Sequence, residues 1–167
     1  EFGEPKLDLA KLVEWKQGIV GKLTGGVGGL LKNHGSEVVR GAASFRDRNT
    51  LEVSGADGKK TIKFDDAVIA TGSVPIAIPG FDFDEKHVWS STGALSPDRV
   101  PEHLVVIGGG YIGLELGFMY RKLGSQVTVL EATGGALPGQ DRDCTKIIER
   151  SLKKNGIKLV TETFAKG

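Results

Sequence analysis

Residues 103–131 constrain this chain more than any other stretch. The apolar run HLVVI at 103–107 meets three glycines. YIGLELGFMYRKLG at 111–124 then carries apolar residues Ile112, Leu114, Leu116, Met119 and Leu123 at helical spacing. QVTVLE at 126–131 is a second strand-like run closing on an acid. Gly108, Gly110 and Gly113 satisfy G-x-G-x-x-G between a strand and a helix, the setting in which such a motif cradles a pyrophosphate. The first glycine permits a tight turn, the second lets backbone approach the phosphates, and the third allows the helix to close on the strand. Free N–H groups at the helix start would face the phosphates.

Glu131 lies 23 positions after Gly108, near the interval of about 20 at which an acid accepts hydrogen bonds from an adenosine ribose. A carboxylate there favours NAD and repels the 2′-phosphate of NADP. The nearest downstream arginine, Arg142, belongs to the next helix. Glu115 is assigned to the first turn of the glycine-loop helix, where the dipole alone favours an acid.

The rest of the second half continues the alternation, with a helix over about 141–154, a stop at Asn155-Gly156 and a strand over 157–163. Strands alternating with helices at this spacing predict βαβ units and a parallel sheet. The last residues, LVTETFAKG, read as a strand whose continuation would lie beyond them.

Residues 8–24 have helical periodicity through Leu9, Leu12, Val13, Ile19, Val20 and Leu23. The glycines at 25, 26, 28 and 29 each cost about 1 kcal/mol relative to alanine, and predict a break or a close approach before Leu30 and Leu31. GGVGG has neither a preceding strand nor the phosphate-loop spacing. EVVRGAASF, TLEVSG and KKTIKFDDAVIATG, separated by RDRN and GADGKK, predict a small antiparallel meander. AVIAT at its end reads as a buried strand rejoining a larger sheet. Residues 73–103, with prolines at 75, 79, 97 and 101, predict a linker holding a short turn capped by Ser91 or Thr92.

Composition narrows the functional classes. The formal net charge is +1 from 22 basic and 21 acidic residues, with no long run of one sign to suggest nucleic acid or a membrane surface as partner. The single cysteine, Cys144, excludes an intrachain disulfide and is expected as a partly buried small apolar residue. The three histidines, His34, His87 and His103, match no metal spacing, and no apolar run reaches the roughly 20 residues of a membrane span. The opening Glu1-Phe2 without a methionine suggests a cut from a longer chain.

Taken in order, KLDLAKLVEWKQGIVGKLTGGVGGLLK, VVRGAASF, DDAVIATGSVPIAIPGF, WSSTGALS and VVIGGGYIGLELGFMYRKLGSQVTVLEA resemble the flavoprotein disulfide reductase family, and within it the lipoamide-oxidising branch. The resemblance implies an α/β fold, partial for FAD/NAD(P) binding: a long helix and three-stranded antiparallel meander, then a Rossmann-like βαβαβ half-domain. Residues 1–98 would be the C-terminal part of the FAD domain and 99–167 the first half of the NAD domain.

It also implies the cofactors FAD and NAD. Gly108, Gly109, Gly110, Tyr111, Ile112 and Gly113 fall at the NAD loop, Glu131 at the ribose and Thr163 near the adenine. Gly41, Ala42 and Ala43 would lie near the FAD adenine and Ala70, Thr71 and Gly72 along the FAD. For Gly41–Ala43 a simple bend in a strand is the alternative. Tyr111 resembles a lid over the flavin and Glu115 a partner for a flavin-side lysine. The family's redox C-x-x-x-x-C, its first glycine loop and its histidine–glutamate base have no match here, so the chain alone is expected to be catalytically inert. The whole enzyme implied is a homodimer serving lipoyl domains and 2-oxo acid dehydrogenase complexes, in the cytoplasm or mitochondrial matrix. A glutathione- or mercuric-reducing relative, a stand-alone dinucleotide-binding module and a fragment exchanging elements with a second copy remain alternatives.

Overall fold

The computed structural model describes residues 6–166, so the expectations for Glu1-Phe2, the GEP turn and the last glycine lie outside the described residues. Two compact units emerge. One holds residues 15–74; the other holds residues 75–166 with the residues up to 14.

Helix α1 runs over Leu9–Asn33, and the division between units falls within it. Asp8 starts it, its Oδ1 accepting the Lys11 N–H at 3.1 Å as a capping acid does. Gly35, at φ +69°, ends it. Ser36 N–H donates to the Leu31 carbonyl at 2.9 Å and Gly35 N–H to that of Lys32 at 3.1 Å, the paired bonds of a Schellman stop. The helix passes unbroken through Gly25, Gly26, Gly28 and Gly29, against the expected break. Each glycine weakens the helix without removing an N–H donor, as proline would. No residue of α1 is buried, and Trp15 (66%), Leu23 (67%) and Leu30 (60%) stand largely exposed.

Within residues 15–74, β1 (Ala42–Asp47), β2 (Thr50–Gly55) and β3 (Gly58–Lys63) form the antiparallel meander in that order. Its first turn is held by Asp47, whose Oδ1 accepts the Asn49 N–H at 2.9 Å. Its second needs Gly58 at φ +101°. Gly41 admits β2 closely, since a Cβ there would lie 2.6 Å from the Ser54 carbonyl oxygen. AVIAT is not the expected buried strand. Among the described residues nothing pairs with it, and Val68 and Ile69 are 92% and 72% exposed. Apolar β-formers become a strand only beside a neighbour that takes their backbone hydrogen bonds.

The other unit is built on a parallel sheet in the order β4-β5-β6, of β4 (His103–Ile107), β5 (Gln126–Leu130) and β6 (Lys158–Val160). Helices α3 (Tyr111–Leu123) and α4 (Arg142–Lys154) make the crossovers. Gly124, at φ +111°, ends α3, and Asp141 caps α4 by accepting the Asp143 N–H at 2.8 Å. Leu114, Tyr120, Val127, Val129, Leu152 and Ile157 form the core. Cys144 on α4 is exposed, not partly buried as expected: it lies outside the apolar face that carries Leu152. Strand β6 stops at Val160, short of the expected 163. Glu162 adopts φ +52° and turns the chain so that Glu162 N–H reaches the Thr133 carbonyl (2.9 Å) and Thr163 N–H that of Glu131 (3.0 Å).

The proline-rich segment packs onto this unit through a short helix, α2 (Ser91–Ala94). Its cap is Ser90, one residue before the two expected, with Ser90 Oγ accepting the Gly93 N–H at 3.3 Å. The buried Tyr120 hydroxyl donates to the Ala94 carbonyl at 2.7 Å, and Trp89 lies 5.8 Å from the Tyr120 ring. No helix is long and apolar enough to cross a membrane among the described residues.

Candidate functional site

The glycine loop joins the end of β4 to the start of α3. Gly108 turns at φ +103° and its N–H donates to the Leu130 carbonyl at 2.8 Å, tying the loop to the neighbouring strand. Gly110 caps α3 with an extended backbone, φ −73° and ψ 169°, and a Cβ there would meet nothing within 4 Å. The space over Gly110 is therefore open to a ligand. Gly113 is the reverse: a Cβ would sit 2.6 Å from the Gly108 carbonyl oxygen and 2.9 Å from Val106 Cγ1, so its missing side chain is what lets α3 close on β4. The first α3 bond runs from Leu114 N–H to the Gly110 carbonyl at 3.0 Å. The N–H groups of Tyr111, Ile112 and Gly113 thus form the open end of the helix.

Glu131 stands where β5 ends and is only 6% exposed. Its Oε2 accepts the Gly109 N–H at 2.6 Å. Its Oε1 accepts the Thr133 N–H and the Thr133 hydroxyl, each at 2.8 Å. Burial pushes this carboxyl up, but the Thr133 and Gly109 N–H groups, the Thr133 hydroxyl and the Ala132 backbone outweigh it. The carboxyl is held below its usual value and stays ionised, as hydrogen bonds to the charged form require. Gly109 N–H is engaged by this carboxylate, and the Gly109 carbonyl accepts the Leu137 N–H at 2.8 Å. Of the three loop glycines, Gly109 thus faces its own chain, and Gly108 and Gly110 border the open side.

The structure brings Gly108–Gly113, Glu131 and Thr163 together at the C-terminal ends of β4 and β5. Thr163 comes in by its backbone bond to Glu131, three residues beyond β6. Tyr111 is 68% exposed and Ile112 47%; neither is held by the core. Glu115 is exposed on the second turn of α3, not the first as expected, because α3 begins at Tyr111 and holds no acid in its first turn. Gly108, Gly110, Tyr111 and Gly113 also border a cavity of about 730 Å³ whose lining includes Trp89, Ile107 and Leu116. Among the described residues no cluster of His, Cys, Asp or Glu is placed to hold a metal ion.

Gly41, Ala42, Ala43, Ala70, Thr71 and Gly72 belong to the unit of residues 15–74. Ala42 and Ala43 pair with Ser54 and Val53 on β2. Ala70–Gly72 is exposed backbone outside any strand, with Gly72 at φ +76°. Two residues of the loop cluster escaped sequence reasoning. Thr133 could have been flagged, since a threonine two residues beyond an acid readily makes a local side-chain bond. Leu137 could not, because its φ of +53° is one that leucine rarely adopts.

The chain is similar to known proteins in sequence and in fold. The chain is 50% identical over 161 residues to a dihydrolipoyl dehydrogenase of Geobacillus stearothermophilus, covering 96% of this chain and 34% of that protein. It is 45% identical to a dihydrolipoyl dehydrogenase of Haloferax volcanii, covering 93% and 34%. The chain therefore spans about a third of the length of these curated relatives. Among solved structures, LpdA of Mycobacterium tuberculosis superposes with a TM-score of 0.85 at 24% identity, over 96% of this chain and 36% of that one, a likeness of fold. The HOCl-induced flavoprotein disulfide reductase RclA of Escherichia coli gives 0.73 at 28% identity, over 96% and 37%. Residues 3–167 match the sequence profile of pyridine nucleotide-disulphide oxidoreductases. With nearly the whole chain inside that match, the chain belongs to the pyridine nucleotide-disulphide oxidoreductase family.

Proposed function

We propose that this chain is a segment of an FAD-dependent dihydrolipoamide dehydrogenase, the lipoamide component of 2-oxo acid dehydrogenase complexes, and that residues 99–167, the first half of an NAD domain, hold NAD on the glycine loop. What carries the reading is the buried, ionised Glu131 beside an open Gly110 and the free end of α3. The helix end suits a pyrophosphate, and an acceptor-only carboxylate suits a ribose diol and disfavours a phosphate. Residues 1–98 would be the C-terminal part of an FAD domain, in which Gly41–Ala43 and Ala70–Gly72 lie near the flavin nucleotide.

The glycine loop suits the dinucleotide: Gly110 leaves room that no side chain fills. Among the described residues Gly41–Ala43 and Ala70–Gly72 form no comparable cradle. The closeness of Gly41 to Ser54 is accounted for by strand pairing. When bound, FAD and NAD supply the electron transfer between dithiol and nicotinamide. The chain's own residues bind and orient: Tyr111, Ile112 and Gly113 offer N–H groups to phosphate, and Glu131 orients the ribose. Tyr111 and Glu115, exposed at the start of α3, are available to a flavin-side neighbour. One cysteine makes no redox disulfide, so the isolated chain is inert in dihydrolipoamide oxidation. The whole protein works as a homodimer with lipoyl domains.

Calorimetric titration of the chain with NADH and NADPH tests the site. Binding of NADH with clear preference over NADPH is the expected result; equal affinities would refute the assignment of Glu131 to the ribose.

A further inference from the structure

We propose that Thr133 is a specificity-determining residue of the dinucleotide site, fixing the Glu131 carboxylate so that only one of its oxygens remains open to a ribose hydroxyl. The inference rests on the reading of this site as one for NAD. An ionised carboxylate offers about four lone-pair directions. Both directions on Oε1 are taken by Thr133, through its N–H and its hydroxyl, each at 2.8 Å. Oε2 receives the Gly109 N–H at 2.6 Å and keeps one direction free. A ligand hydroxyl that donates to Glu131 must therefore do so at Oε2, beside the glycine loop.

Thr133 is itself held. Its carbonyl accepts the Glu162 N–H at 2.9 Å. Its hydroxyl also lies 3.3 Å from the Gly135 carbonyl, but the 2.8 Å bond to a charged oxygen is the stronger. Losing the hydroxyl frees half of Oε1 and lets the carboxyl group turn about its last torsion, which is broad and weakly held. A turned or protonated carboxyl opposes a 2′-phosphate less and meets a ribose hydroxyl less well. Thr133 acts through Glu131 and is a positioning residue.

The test is a titration of the full 167-residue chain with NADH and NADPH, for the parent and for Thr133→Val and Thr133→Ser. Valine keeps the branched shape and the N–H; serine restores the hydroxyl. Thr133→Val is expected to weaken NADH binding by about tenfold, the scale of one hydrogen bond to a charged group, and to lower the NADH-over-NADPH preference by a similar factor. Thr133→Ser is expected to recover both. A preference unchanged in Thr133→Val overturns the proposal, even if both affinities fall together, since that is what a merely structural residue would do. Thr133→Ala makes the same comparison if valine crowds the loop. A parent chain that binds no NADH overturns the dinucleotide reading and this inference with it. Without ligand, the carbon-13 signal of the Glu131 carboxyl should titrate at higher pH in Thr133→Val than in the parent. No change there refutes the clamp whatever the cofactors do.

Discussion

Gly113 and Gly117 lie one helical turn apart on α3, and replacing each with alanine should change stability in opposite directions. At Gly113 the new Cβ would stand 2.6 Å from the Gly108 carbonyl oxygen and 2.9 Å from Val106 Cγ1. Val106 can shift its side chain, but the oxygen is backbone of the glycine loop, tied through Gly108 N–H to Leu130. Overpacking of this kind costs about 1–3 kcal/mol, and a contact with fixed backbone belongs at the upper end. Alanine returns about 1 kcal/mol of helix propensity, leaving Gly113→Ala less stable by about 1–2 kcal/mol. At Gly117 the nearest atoms are Val127 Cγ1 at 3.5 Å and Val106 Cγ2 at 3.8 Å, ordinary contacts. There the propensity gain stands almost alone, so Gly117→Ala should be more stable by about 0.5–1 kcal/mol. Urea unfolding reads the difference. Trp89 stacks near Tyr120 in the core of this unit, and Trp15 is the only other tryptophan. In a Trp15→Phe background the fluorescence therefore reports on Trp89 alone. Midpoints moving apart at an unchanged slope are expected. A Gly113→Ala chain as stable as the parent would refute the claim that this glycine is needed for α3 to close on β4.

Two further outcomes follow from the packing. Tyr120→Phe removes the donor to the Ala94 carbonyl, and should cost about 1–3 kcal/mol in the same urea assay. Burial first, and the negative charge of Asp98 second, push the Tyr120 hydroxyl from its ordinary 10.0 to about 12. Because the folded value is raised, that stabilisation is complete below about pH 10 and is lost as pH rises from there through about 12. An absorbance titration at 295 nm should show a tyrosine ionising at about pH 12 that vanishes in Tyr120→Phe. On α1, Cβ atoms at Gly25 and Gly26 would meet nothing within 4 Å. The double alanine variant should gain about 1 kcal/mol of helix propensity per site and raise the helical circular dichroism at 222 nm. A flat signal would mean that α1 is not continuous there.

The two halves of the chain differ in how much their sequence could disclose. Helix α3 and strands β4 and β5 were legible almost to the residue, because everything that sets them is nearby. Gly110 and Gly124 punctuate α3, β5 pairs directly with β4, and Leu114, Val127 and Val129 bury one another within this stretch. AVIAT and α1 carry equally clear apolar patterns, yet Val68, Ile69 and the α1 apolar residues from Trp15 onward stand exposed, with only Leu9, Leu12 and Val13 half-buried. Periodicity states that a face is suited to burial; it does not name the surface that covers it. The chain spans about a third of its relatives' length.

The same limit operates inside the site at finer grain. The spacing from Gly108 singled out Glu131, and the structure puts that carboxylate at the end of β5 against the glycine loop. Hidden from spacing were its bonds to Gly109 and Thr133, because they depend on how residues 132–137 fold back, with Leu137 in a backbone region its side chain disfavours. Those bonds alter how Glu131 should be understood. A carboxylate free in solvent would discriminate weakly between a hydroxyl and a phosphate, since its charge is screened and its orientation averaged. One that is 6% exposed and held by three donors keeps its charge at a defined place. The bonds that lock the loop to β5 are therefore the same ones that would make Glu131 selective, and loosening either should loosen the other.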